Sequence, residues 1–278
     1  MISNLDNVYP ELPMVLEQLV KGTKNILADN LIGVYLVGSL ATGDFDLDSD
    51  VDFLVIIKEE LSDQTVQELQ SMHREIYKKD SYPAKHLEGS YISLKILNDS
   101  ESVNKTLLWY LDNGSTTFER SIHDNRWHVR WMLREKGVTL FGPDPKRLLS
   151  PIPIDKMRIE IGDIMHVLKK GFIDELDKPL NFYNSRFGQS FSVLTICRML
   201  HSIQTGTIQS KLAGATWAKE ELDPRWRDLI DQAWEERKGV RFCVKIHQPA
   251  KRELLQRTAE FIEYGIQMKD EMRSDNIE

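Results

Sequence analysis

Five aspartates alternate over nine residues, Asp44, Asp46, Asp48, Asp50 and Asp52, and the run ends in the apolar stretch Phe53-Leu-Val-Ile-Ile57. Turns are rich in aspartate, which accounts for the first three. It does not account for Asp50 and Asp52, which abut a strongly apolar strand. Side chains on a strand repeat every two residues, so Asp50 and Asp52 share a face, roughly 6.5–7 Å apart. Both carboxylates then reach one Mg²⁺, or bridge two. Mg²⁺ takes few protein carboxylates and completes its octahedron with water and substrate phosphates. Upstream, Gly38-Ser39 closes another apolar run, residues 31–37 (LIGVYLV). A glycine lets backbone approach a phosphate, and the serine hydroxyl with nearby N–H groups can bind its oxygens. Two other chemistries are excluded. A phosphate-cradling P-loop needs Lys-Ser/Thr after its second glycine, whereas Gly43 is followed by Asp44-Phe45. A calcium loop starting at Asp44 needs glycine and glutamate where the chain has Ser49 and Val55. What remains is metal-dependent phosphoryl or nucleotidyl transfer.

The pattern around this cluster reads as an α/β domain. Residues 10–28 carry apolar positions at helical spacing. Residues 31–37 and 51–57 read as buried strands, with room between them for a hairpin or a short helix. Residues 62–79 open on the N-cap signal Ser62-Asp63 and continue as a helix, and 87–97 (LEGSYISLKIL) reads as a third, alternating strand. Residues 98–125 give no clear assignment. Residues 126–136 read as a helix ending at Gly137, and 138–141 as a brief strand. Four prolines within Pro143–Pro153 mark a boundary. Beyond it every segment reads as helix: 155–176, 188–205, 210–222, 225–238 and 250–272. The expected domains are 1–150 and 151–278.

Net charge is −7 over 278 residues. Residues 1–150 hold 16 Lys+Arg against 23 Asp+Glu, which is the whole imbalance, and the remainder is neutral. A bulk nucleic-acid binder would show a basic excess, so no nucleic-acid partner is expected. One stretch departs from this balance. Between Asp177 and Glu220 no carboxylate occurs, while Lys178, Arg186, Arg198, Lys211 and Lys219 do. This reads either as a core helix with chance composition or as a surface kept clear of negative charge for an anion. Cys197 and Cys243 have no partner spacing for a metal or a disulfide framework. No apolar run is long enough to span a membrane, and the first residues lack a signal-peptide pattern, so a cytoplasmic monomer is expected.

The motif Gly38-Ser39 followed by Ser49-Asp50-Val51-Asp52-Phe-Leu-Val resembles the signature of the DNA polymerase β-like nucleotidyltransferases. The resemblance extends to the aminoglycoside adenylyltransferases that act on streptomycin and spectinomycin. It runs through Leu87-Glu88, Gly137-Val-x-Leu-Phe-Gly-Pro143, Val193-Leu-Thr-x-x-Arg198 and Thr205-Gly206-x-Ile208-x-Ser210-Lys211 to Trp217-Ala, and covers about residues 30–235. It implies an N-terminal nucleotidyltransferase domain with a small mixed sheet, followed by an all-α helical bundle. It implies adenylyl transfer: a hydroxyl of a small molecule, an aminoglycoside-type antibiotic, attacks the α-phosphate of ATP and pyrophosphate leaves. The resemblance assigns Asp50 and Asp52 to Mg²⁺, and Glu88 to a third carboxylate that sits at the metal and acts as general base. Gly38, Ser39, Ser49 and Lys211 would bind the nucleotide, with Lys211 placing ATP between the two domains. The chain departs from its drug-modifying relatives at Phe182–Ser190, which lacks the acid they carry there. Trp109, Tyr110, Asp112, Glu119, Trp127 and Trp131 are alternative pocket residues, and tryptophans are also ordinary core. The seven histidines show no metal-binding spacing. Two other functions stay open: nucleotidyl transfer to a protein or RNA, and a nucleotide-binding regulator without turnover.

Overall fold

The computed structural model describes residues 9–239 and 241–274. The described residues form two compact units that divide between Ile152 and Pro153.

The first unit is built on a mixed six-stranded sheet of order β5-β4-β3-β2-β1-β6. Its elements run α1 (Leu12–Leu27), β1 (Leu31–Leu36), α2 (Gly38–Thr42), β2 (Val51–Ile57), α3 (Asp63–Tyr77), α4 (Tyr82–Lys85), β3 (Leu87–Ser93), α5 (Leu94–Asn98), β4 (Leu108–Leu111), β5 (Phe118–Ser121), α6 (Trp127–Lys136) and β6 (Val138–Phe141). Only β2 and β3 run parallel, and α3 is the long helix of the crossover between them. A parallel pair needs such a connection, whereas the antiparallel pairs need none. The helix forms because Val66, Leu69, His73 and Ile76 recur on one buried face, and the Ser62 side chain accepts from the Thr65 backbone N–H at its start. Helix α1 buries Leu12, Val15, Leu16, Leu19 and Leu27 in the core that also takes Val34, Leu36, Phe53, Val55 and Ile57.

Two expectations need correction here. The strand expected over 87–97 ends at Ser93. The Ser93 hydroxyl accepts from the Ile96 N–H, capping a short helix. Its burial is continuous rather than alternating, as suits a central strand covered on both faces. The unassigned stretch 98–125 holds the β4–β5 hairpin.

The second unit is helical: α7 (Ile154–Glu175), α8 (Arg186–Thr205), α9 (Lys211–Glu221), α10 (Arg227–Gly239), α11 (Phe242–Lys245) and α12 (Arg252–Ser274). Helix α8 packs against α7, α9, α10 and α12. It therefore buries Val193, Ile196, Cys197, Leu200 and Ile203, and on its other sides Gln189, Ser192, Thr195 and Ser202. A helix packed against four others needs no amphipathic stripe; Ser192 bonds locally to the Gly188 carbonyl at 2.7 Å, and Gln189 reaches Thr258 of α12 at 2.8 Å. No described helix is long and apolar enough to cross a membrane.

Candidate functional site: a carboxylate edge on the mixed sheet

In both β2 and β3 every residue is buried except the second, and those two residues are Asp52 and Glu88. They are register partners across the parallel pair. Neighbouring strands lie about 4.8 Å apart and directly paired residues share a face, so the two carboxyl groups are neighbours. Asp50 lies one residue before β2 on the same face as Asp52, held by the hydrogen bond from Val51 N–H to the His86 carbonyl at 2.9 Å.

Opposite Asp52 the chain leaves β1 and turns at Gly38. The φ of Gly38 is +60°, in the left-handed region. A Cβ there would stand 1.9 Å from Oδ2 of Asp52. The missing side chain is thus the space that the Asp52 carboxylate occupies. Helix α2 starts at Gly38 itself and is closed by the C-cap Gly43, with φ +85°. The Ser39 Oγ is buried with no hydrogen-bond partner. Buried hydroxyls are nearly always bonded, so this one marks a place for an acceptor such as a phosphate oxygen.

Ser49 behaves differently from Ser39. Its Oγ donates to Asp46 Oδ1 at 2.8 Å and accepts from the Asp46 N–H at 3.0 Å, and Asp46 also accepts from the Asp48 N–H. The hydroxyl expected to bind nucleotide here braces the aspartate loop. Lys211 belongs to the second unit, where it opens α9 behind the N-cap Ser210. Its ammonium lies 5.5 Å from the Phe191 ring centre, in a small hollow that Arg237 and Lys245 also line.

Glu88 is held from the β4–β5 side. The Tyr110 hydroxyl donates to Glu88 Oε1 and lies 3.1 Å from Asp112 Oδ1. His123 Nδ1 is 3.6 Å from the same Glu88 oxygen. The Ser90 hydroxyl, two residues along the same face, donates to Asp124 at 2.7 Å. Burial first, then the negative charges of Asp52, Asp50 and Asp124, push the Glu88 carboxyl up to about 8, against the Tyr110 hydrogen bond, which favours the ionised form. Burial likewise raises Asp124.

Among the described residues no three His, Cys, Asp or Glu side chains gather into a metal site. Glu88 gives one oxygen to the Tyr110 hydroxyl, as Asp50 gives one to the Asn113 amide. The pair Asp50 and Asp52 fits Mg²⁺ by itself. Its donors are hard oxygens, and the charge crowding felt at Glu88 is what a cation relieves. Sequence reasoning missed Asn113, His86, His123 and Asp124 around this edge. The triplet Asp112-Asn113-Gly114 after the apolar-aromatic run Leu108–Leu111 is a turn signal at Asn113, and nothing local points to His86, His123 or Asp124.

Comparison with known proteins agrees with the architecture. Residues 16–103 match the family described as nucleotidyltransferase domain, and residues 147–262 match the aminoglycoside adenylyltransferase C-terminal domain. A spectinomycin 9-adenylyltransferase of Staphylococcus aureus is 28% identical over 86% of this chain and 88% of its own length. One from Enterococcus faecalis is also 28% identical, over 81% of this chain and 86% of its own. The crystal structure of a spectinomycin adenyltransferase from Enterococcus faecalis, with ATP and spectinomycin, superposes with a TM-score of 0.64 at 19% identity, over 91% of this chain and 98% of that one. With both domains matched in order and two central strands carrying carboxylates at their starts, these likenesses support an aminoglycoside adenylyltransferase-like nucleotidyltransferase with adenylyltransferase activity.

Proposed function

We propose that the protein transfers AMP from ATP to a hydroxyl of an aminocyclitol or aminoglycoside antibiotic of the spectinomycin class, with Mg²⁺ and with release of pyrophosphate. The observation that carries this reading is the pairing of Asp52 with Glu88, the only two positions of β2 and β3 that are not buried. It sets a metal-binding carboxylate beside a carboxyl group able to take a proton. The relatives named for spectinomycin supply the acceptor class.

Asp50 and Asp52 would hold the metal. Bound there with ATP, Mg²⁺ supplies charge neutralisation of the triphosphate and alignment of the attacking and leaving oxygens. Gly38 keeps the Asp52 carboxylate in place, and Ser39 Oγ donates to a phosphate oxygen. Glu88 accepts the proton of the acceptor hydroxyl as its oxygen bonds to the α-phosphorus and the bond to pyrophosphate breaks. A base is most effective when its pKa lies near the working pH, and the buried, negatively flanked Glu88 is poised there. Tyr110 fixes its orientation through one oxygen. Lys211 adds a cation for the triphosphate, on its place at the start of α9 in a segment without carboxylates.

The test is pyrophosphate release from Mg·ATP with spectinomycin, streptomycin, other aminoglycosides and lincosamides in turn. Turnover with spectinomycin supports the reading. Turnover with none of them, in a folded protein that binds Mg·ATP, overturns the acceptor and favours a regulator.

A further inference from the structure

Asp50 precedes β2, where no strand partner fixes its side chain, yet its carboxylate is held. Asn113 Nδ2, 63 positions later in the β4–β5 turn, donates to Asp50 Oδ1 at 2.5 Å. The amide is itself oriented, because its Oδ1 lies 2.7 Å from His86 Nδ1. An amide oxygen only accepts, so Nδ1 is the ring nitrogen that carries hydrogen in this contact. With that contact made, the NH₂ end faces Asp50. With the amide turned over, oxygen would meet carboxylate.

The contacts continue in a closed path. The His86 ring stacks on Tyr82 with centroids 3.8 Å apart, and Tyr82 stacks on Tyr9 at 5.0 Å. The Tyr9 hydroxyl donates to the Leu47 carbonyl at 2.7 Å, which lies back in the aspartate loop. The His86 carbonyl holds the N–H of Val51, next to Asp50. One of these contacts thus ends on the aspartate loop, from Tyr9 to Leu47, and two end on Asp50 or its neighbour; His86 makes the contact to Val51 and orients the amide that reaches Asp50.

We infer that Asn113, oriented by His86, is a positioning residue that keeps the Asp50 carboxylate in the orientation that binds the divalent metal accompanying ATP. The inference rests on the reading of Asp50 and Asp52 as the metal residues. Removing such an outer hydrogen bond to a metal ligand typically costs 10–100-fold in metal affinity. A turn tether with no further role would change stability and leave metal affinity alone.

The experiment is a calorimetric titration of Mn²⁺ into the full chain with a non-hydrolysable ATP analogue, alongside thermal midpoints and the KM of the acceptor at saturating metal. Asn113→Ala should weaken Mn²⁺ binding about 10–100-fold, with acceptor KM unchanged. His86→Ala should shift binding the same way by less. His86→Asn, whose amide nitrogen can stand where Nδ1 stood, should restore it. Wild-type Mn²⁺ affinity in a folded Asn113→Ala protein overturns the inference, as does a defect confined to acceptor KM. If Asn113→Ala shows no cooperative melting, the His86 pair decides: a defect in alanine repaired by asparagine supports the inference, and equal affinity in both overturns it. Asp50→Asn separates the two levels. Metal lost there but kept in Asn113→Ala sinks the positioning role alone, and metal kept in both sinks the metal reading with it.

Discussion

Residues 31–57 and residues 98–125 both supply the carboxylate edge, by different means. The first region contributes Gly38, Ser39, Asp50 and Asp52 from strands of six and seven residues joined through a five-residue helix. Its side chains are placed by local constraints: a left-handed glycine, a register, and a strand with one partly open position. The second contributes Tyr110, Asp112, Asn113, His123 and Asp124 from four-residue strands and their loops. Its side chains act by reaching across to groups fixed elsewhere, Tyr110 to Glu88 and Asn113 to Asp50. The contrast suggests a division of labour in which the first region carries charge to the reacting atoms and the second orients it.

Substitutions in the first region should therefore do more damage. Asp52→Asn, or Asp50→Asn, should cost at least about 10³-fold in kcat, since a metal's charge stabilisation is worth several kcal/mol. Circular dichroism and melting should be unchanged, and retention of more than a tenth of the rate would break the contrast. Glu88→Gln comes next, with kcat lowered about 10²–10⁴-fold and Mg·ATP affinity kept, measured by single-turnover kinetics and calorimetry. If affinity falls in step with kcat, Glu88 is a metal ligand first. Gly38→Ala would place a Cβ against Asp52 in a left-handed backbone. It should weaken Mg·ATP binding and lower stability by about 1–2 kcal/mol.

Tyr110→Phe sharpens the comparison from the other region. The Tyr110 hydrogen bond favours ionised Glu88, so losing it raises the Glu88 pKa. The acid limb of kcat/KM should move to higher pH, with metal affinity unchanged. A limb that stays put would mean that Tyr110 does not orient the base.

The smallest effect at neutral pH belongs to His73, which joins the regions on the buried side. Its ring packs 5.5 Å from Phe53 and 5.4 Å from Phe118, and its Nε2 lies 2.9 Å from the Tyr91 hydroxyl. Burial lowers its pKa to about 3. Between about 6.5 and 3 the unfolded chain binds a proton that the folded one does not, so stability falls as pH falls, by up to about 1.4 kcal/mol per unit. His73→Phe should flatten that part of the stability curve. An unaltered slope would show that His73 is not buried neutral.

The same contrast decides what can be read without coordinates. β1, β2, α1 and α3 are long enough to show their periodicity, and Asp50 and Asp52 stand out because carboxylates beside a buried strand need a reason. The hairpin is hidden because β5, Phe-Glu-Arg-Ser, is half-open and carries no alternating pattern. Its place depends on pairing with β4 and on the Phe118 N–H donating to Gln70 of α3 at 2.9 Å. Such long-range partners leave no local trace. Glu88 is legible only through resemblance, and Tyr110 only as an alternative pocket residue; their pairing is not legible at all, since cross-strand neighbours follow from a register that no single segment encodes. Ser39 and Ser49 look equivalent in sequence. Only the bonds of Ser49 to Asp46, and the lack of any partner on Ser39 Oγ, tell them apart.

The central claim is that the edge carrying Asp50, Asp52 and Glu88 transfers AMP to an antibiotic hydroxyl. Mass spectrometry of spectinomycin after incubation with the protein and Mg·ATP tests it most directly. The account predicts a product heavier by one adenylyl group, with stoichiometric pyrophosphate, formed by the wild type and absent with Asp52→Asn. Unmodified spectinomycin with the wild type, or the same product at an equal rate with Asp52→Asn, would contradict it.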